Sequence, residues 1–134
     1  MVIDTSALVA VLFDEPERRT FTEAMEVDSR RLISAGTLIE ASILVEARRG
    51  EAAGRELDLL LHRADVAVVP VDAEQAELAR DAWRRYGKGR HPAGLNFGDC
   101  FAYALAAVTG EPLLFKGQDF PQTGIPAAVG PRRS

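Results

Sequence analysis

Four short apolar runs, each separated from the next by a stretch of helical periodicity, most constrain what this chain can fold into. They are Val2–Asp4, which ends in an acid, then Arg31–Ser34, Val66–Val69 just before Pro70, and Leu113–Phe115. Each is too short for a helix. Val66–Val69 is apolar throughout and β-branched at three of its four positions, the pattern of a parallel strand buried on both faces. Strands alternating with helices predict an α/β chain, a single three-layer α/β/α domain over residues 1–134 with a central, mostly parallel sheet of four to five strands. The fifth strand would be a weak edge strand near 127–129.

The intervening segments read as helices. Thr5-Ser6 offers a cap for a helix from Ala7 to Phe13, and Pro16 opens a second that runs to about Val27 with Phe21, Ala24 and Met25 at core spacing. Thr37 to Arg49 is apolar over most of its circumference, which predicts a largely buried helix closed by Gly50. A shorter amphipathic helix, Arg55 to Arg63, carries Leu57, Leu60 and Leu61. Asp72 to Tyr86 is expected to turn Ala76, Leu78, Ala79 and Trp83 inward. Three glycines and a proline make residues 87–94 a loop. Phe97 to Val108 is the second nearly all-apolar helix.

Composition excludes several classes. Of 134 residues, only Cys100 is a cysteine, so no intrachain disulfide framework or Cys-rich zinc site is available. No apolar run approaches the ~20 residues of a membrane helix. Met1-Val2-Ile3-Asp4 lacks a basic n-region and a cleavage site, so a cytoplasmic location is expected. The net charge of −4 is unevenly spread: residues 1–78 carry 16 acidic and 8 basic side chains, residues 79–134 carry 4 and 8. That asymmetry permits a polyanionic substrate without demanding one.

The informative residues are acids that interrupt apolar segments. Asp4 ends the first strand and Asp119 lies in the loop after Leu113–Phe115. In an open parallel sheet, ligands bind where strands reach their carboxyl ends. Ile43, Leu44 and Ala47 follow Glu40 at i+3, i+4 and i+7, which puts Glu40 on the expected core-facing stripe. Asp99 opens an apolar helix. Each has a plainer reading: Asp4 as a helix cap, Asp99 as a first-turn acid behind an Asn96 cap, Asp119 as an Asx-turn, Glu40 as half of a buried ion pair. Together, though, four acids near one crevice repel and require a cation, and Lys116 is the only basic side chain nearby. Hard oxygen donors without Cys or clustered His select Mg²⁺ or Mn²⁺, and the chemistry such a site serves is phosphodiester hydrolysis.

These residues lie in Val-Ile-Asp-Thr-Ser-Ala-Leu-Val (2–9), Thr-Leu-Ile-Glu-Ala-Ser (37–42), Asn-Phe-Gly-Asp-Cys-Phe-Ala-Tyr-Ala-Leu-Ala (96–106) and Leu-Leu-Phe-Lys-Gly-Gln-Asp-Phe (113–120). In that order, and over nearly the whole chain, they resemble the PIN-domain ribonucleases, and among them the VapC toxins of bacterial toxin–antitoxin pairs. The resemblance implies that Asp4, Glu40, Asp99 and Asp119 hold Mg²⁺ or Mn²⁺ and activate water to cut single-stranded RNA. Thr5 or Ser6 fits the family's hydroxyl position, where it would orient the cluster. Gln118 stands where the family often has asparagine. The resemblance also implies a homodimer and a cognate VapB-type antitoxin, whose tail lies in a groove that the apolar first and second helices could supply.

Arg84, Arg85, Lys88 and Arg90, in or beside the glycine-rich loop, together with Lys116, are the candidate RNA phosphate contacts, with a solvated loop as the plainer reading. Tyr86 could stack a base or pack on Trp83. Two other functions fit an early strand-end Asp: a phosphatase-like phosphoryl-transfer domain, or a catalytically silent domain that binds a protein partner. The phosphatase pattern wants a second acid two residues after Asp4, where Ser6 stands.

Overall fold

The short apolar runs become strands and pair in parallel. A computed structural model describes residues 1–130; residues 131–134, with Arg132 and Arg133, lie outside the described part. The order is β1 (Val2–Ile3), α1 (Thr5–Leu12), α2 (Arg18–Val27), β2 (Leu32–Ser34), α3 (Ala35–Arg63), β3 (Ala67–Val69), α4 (Ala73–Tyr86), α5 (Phe97–Thr109), β4 (Leu113–Leu114) and a 3₁₀ turn, Phe120–Thr123. The four strands form one all-parallel sheet in the order β3-β2-β1-β4. The expected fifth strand reduces to a single bridge, Leu113 to Ala127, with Leu113 N–H donating to the Pro126 carbonyl at 2.9 Å.

Because side chains alternate along a strand, the two-residue strands serve both faces of the sheet. Ile3, Ile33 and Leu114 face α1, α2 and α3, packing with Leu8, Phe21, Val45 and Leu57. Val2, Leu32 and Leu113 face α4 and α5, packing with Ala82, Leu95, Ala102 and Leu105. This is the expected α/β/α sandwich.

Several expectations change. Helix α1 begins at Thr5 because Asp4, not Thr5 or Ser6, is its cap. Helix α3 is interrupted at Gly50 (φ 82°, ψ 179°), as expected, but resumes at once rather than at Arg55. Only a left-handed residue can make that break cheaply, and glycine has no Cβ to oppose it. Its first half is not buried all round: Thr37, Ala41 and Val45 are buried, while Ile39 and Ile43 are 61% and 65% exposed and Ala47 is also exposed. Strand β3 is parallel but exposed, since it is the sheet edge; Val68 is 48% exposed. On α4, Ala82 and Gln75 turn inward while Ala76 and Trp83 are exposed. Helix α1 spends its apolar residues on the core, and α2 buries Phe21 and Met25 there. Among the described residues, one surface cleft along α2 is lined by Asp14, Glu15, Arg18, Arg19 and Glu23, and another runs from Thr22, Met25 and Glu26 to Leu60 and Arg63 of α3.

Strands β1, β2 and β3 progress one way across the sheet, and β4 returns to the other side of β1. The reversal opens a crevice at the carboxyl ends of β1 and β4, the location where open α/β sheets bind ligands.

Candidate active site

Asp4 sits at the β1 end of that crevice. Its N–H donates to the Leu114 carbonyl at 3.0 Å, so it still belongs to the sheet, and its extended backbone makes it the N-cap of α1. Oδ2 accepts from Ser6 N–H at 3.0 Å and from Ser6 Oγ at 2.6 Å. Oδ1 is buried with no hydrogen-bond partner. The capping reading of Asp4 therefore holds, and it uses one carboxylate oxygen while leaving the other without a partner. Ser6 Oγ also accepts from Lys116 N–H at 2.9 Å, which ties the loop after β4 to the same point.

Glu40 reaches the crevice from α3. It lies at the flank of the buried stripe, between Leu44 inside and Ile43 outside, rather than on its centre. Thr5 Oγ donates to Glu40 Oε1 at 2.6 Å, so both hydroxyls of the Thr5-Ser6 pair act, each on a different acid. Asp99 comes from the first turn of α5, where a reciprocal capping box fixes it: Asp99 N–H donates to Asn96 Oδ1 at 2.9 Å, and Asn96 N–H donates to Asp99 Oδ2 at 3.0 Å. Asp119 leads into the 3₁₀ turn. It is exposed and its side chain makes no capping bond, so the Asx-turn reading fails.

The electrostatics tie the four together. Burial pushes Asp4 up to about 6 against the hydrogen bonds from Ser6, and Glu40 adds to the rise. Asp99 is pushed up to about 7, first by burial and then, against its bond from Asn96, by the charges of Asp4, Asp119 and Glu40. Asp4 and Asp99 thus feel the neighbouring acids as a cost that a cation would offset. Among the described residues, no three Asp, Glu, His or Cys side chains close into a ready ion cage. Unneutralised carboxylates repel, and each of these two is held by its own hydrogen bond, Glu40 by Thr5 and Asp99 by Asn96. The donors are nonetheless all hard oxygens, and Asp4 Oδ1 lacks any other use, so the set fits Mg²⁺ or Mn²⁺ better than a soft metal.

The basic candidates separate. Lys116 Nζ is 3.1 Å from both Glu15 and Glu17, so its charge is spent on the α1–α2 turn. Arg85 pairs with Asp81 at 3.4 Å. Arg90 lies 4.2 Å over the Trp83 ring, and Arg84 lines an apolar groove of about 580 Å³ between α4 and α5, with Ala76, Trp83, Phe97 and Phe101. Lys88 is exposed in a loop closed by Lys88 N–H to the Leu95 carbonyl and Leu95 N–H to the Tyr86 carbonyl, both 2.9 Å. Tyr86 packs on His91 and Tyr103 rather than on Trp83. The partner of each hydroxyl and the amide of Lys116 were beyond the reach of sequence reasoning, because nothing in the sequence marks which side chain a hydroxyl meets.

Comparison with known proteins identifies the family and the fold. The PIN domain family model matches residues 1–126. The chain is 58% identical to "VapC ribonuclease Mb0640" of Mycobacterium bovis, over 98% of this chain and all of that protein. It is 60% identical to "Ribonuclease VapC" of Mycolicibacterium smegmatis, over 95% of this chain and 98% of that protein. Its fold matches the crystal structure of Mycobacterium tuberculosis VapC20, a sarcin-ricin loop cleaving toxin, with a TM-score of 0.78 at 21% identity over 97% of this chain and 98% of that one. The chain belongs to the PIN-domain family, among the VapC ribonucleases.

Proposed function

We propose that the protein is the endoribonuclease toxin of a VapBC-type pair, and that it cuts single-stranded or loop RNA at the crevice between β1 and β4. The observation that carries the reading is Asp4: a buried carboxylate with one oxygen locked by Ser6 and the other unpartnered, within the field of Glu40 and Asp99. The names of the 58–60% identical relatives support ribonuclease activity and a cognate VapB-type antitoxin. A homodimer is the expected assembly.

In this reading Asp4, Glu40, Asp99 and Asp119 hold the ion. A bound Mg²⁺ or Mn²⁺ supplies a Lewis acid for the scissile phosphate and lowers the pKa of the attacking water. Ser6 keeps Asp4 turned so that Oδ1 faces the crevice, Thr5 aims Glu40, and Asn96 aims Asp99. With its carboxyl pushed up to about 7, Asp99 would give up a proton to hold an ion near neutral pH, so ion binding would strengthen as pH rises. Of the basic candidates, Arg84, Lys88 and Arg90 keep charge available for RNA phosphates, whereas Lys116 and Arg85 are already paired.

The test is cleavage of single-stranded and stem-loop RNA by the purified protein with Mn²⁺ or Mg²⁺, and with EDTA. We expect ion-dependent internal cuts that Asp4→Asn and Asp99→Asn abolish. RNA left intact under all conditions, while small phosphomonoesters are hydrolysed, would instead favour the phosphatase-like reading.

A further inference from the structure

We infer that Gly98 is a positioning residue of this site, because the side chain it lacks is the space in which the Glu40 carboxylate sits; the inference rests on the nuclease reading above. A Cβ at Gly98 would lie 1.5 Å from Glu40 Oε2, 2.2 Å from Cδ and 2.6 Å from Oε1. Every one of these clashes is with the carboxylate itself, and none is with backbone. Gly98 is not among the glycines with positive φ, so its backbone is one that any residue adopts. Glycine is also the poorest helix former after proline. Its presence in the first turn of α5 is therefore explained by room, not by conformation.

The clearance has a specific consequence. Glu40 is a flexible side chain on the flank of α3, beside the exposed Ile43, so an added methyl at position 98 can be relieved by swinging the carboxylate toward solvent. That movement would break the 2.6 Å bond from Thr5 and withdraw Glu40 from the neighbourhood of Asp99, while leaving the helices packed. Gly36 makes the matching approach at the start of α3: a Cβ there would lie 2.4 Å from the Phe101 ring. Two glycines, one on each helix, let α3 and α5 come close enough for Glu40 and Asp99 to share a crevice.

The experiment compares Gly98→Ala, Glu40→Ala and the double variant with the parent chain. Three quantities are measured: melting in EDTA, Mn²⁺ affinity by calorimetry on ion-free protein, and RNA cleavage. Gly98→Ala is expected to melt like the parent in EDTA and to lose Mn²⁺ affinity on the order of 10–100-fold, as Glu40→Ala does. The double variant should be no worse than Glu40→Ala alone, because both changes remove the same group. Parent-like Mn²⁺ affinity and cleavage in Gly98→Ala, with both lost in Glu40→Ala, would overturn the role of Gly98 alone. If Glu40→Ala itself leaves both intact, the acid-cluster reading fails and takes this inference with it. Should Gly98→Ala not fold, the double variant decides: recovery of the fold locates the clash at Glu40, and equal failure overturns the inference.

Discussion

Replacing Asp4 with asparagine is expected to stabilise the ion-free protein at neutral pH while destroying its activity. Asp4 is 3% exposed and its pKa is pushed from 3.8 to about 6, chiefly by burial. A carboxyl group whose pKa is raised on folding favours the folded state only while protonated. Its contribution is complete below pH 3.8 and is lost as pH rises to about 6. Two units at 1.36 kcal/mol each make the ionised carboxylate about 3 kcal/mol less favourable in the fold than the neutral acid. Asparagine imitates the neutral acid and keeps an oxygen to accept from Ser6. In EDTA, urea melts of the two proteins should coincide near pH 4 and separate progressively to pH 7. With a urea m-value of roughly 2 kcal/mol/M, the variant's midpoint at pH 7 should lie on the order of 1–2 M higher. Adding Mn²⁺ should raise the midpoint of the parent and not of the variant, since only the folded parent gains from binding. A variant less stable than the parent at pH 7 in EDTA, or a gap that ignores pH, would refute the reasoning.

Thr5→Val deletes the hydroxyl that aims Glu40 and leaves no buried donor behind; cleavage should fall about tenfold, the value of one ordinary hydrogen bond, with the melting temperature nearly unchanged. Arg84→Ala and Arg90→Ala should weaken RNA binding and each lower the salt dependence of log K by about one, measured by fluorescence anisotropy across a salt series, whereas Lys116→Gln should leave that slope alone. Leu105→Ala, at a fully buried position under the sheet, should cost about 2–5 kcal/mol in urea melts.

Much of this was legible before any coordinates, for identifiable reasons. Runs such as Val2–Ile3 and Leu113–Leu114 are apolar at consecutive positions because both sheet faces are covered, and that signal survives even in two-residue strands. Gly50 announced its own break. The failures share one cause: periodicity reports which residues are apolar, not what covers them. Ile39 and Ile43 read as core yet stand in solvent, and Ala76 and Trp83 line an open groove. Val66–Val69 read as a strand buried on both faces because nothing in its composition distinguishes an edge. At the site, the acids were visible as charges out of place, and Asn96 as the cap ahead of Asp99, but Gly98 and the backbone of Lys116 were not. Their roles depend on which atoms meet across segments tens of residues apart.

The join between β1 and α1 has no linker. Asp4 is at once the last rung of the sheet and the first brace of a helix whose first turn carries Ala7 and Leu8, each 1% exposed. There is consequently no hinge between the hydrophobic interior and the leading acid, and its aim cannot drift without the domain coming apart. On the proposed function, restraint of such a molecule comes from outside, by something that covers the cleft or withholds an ion, rather than by flexing it.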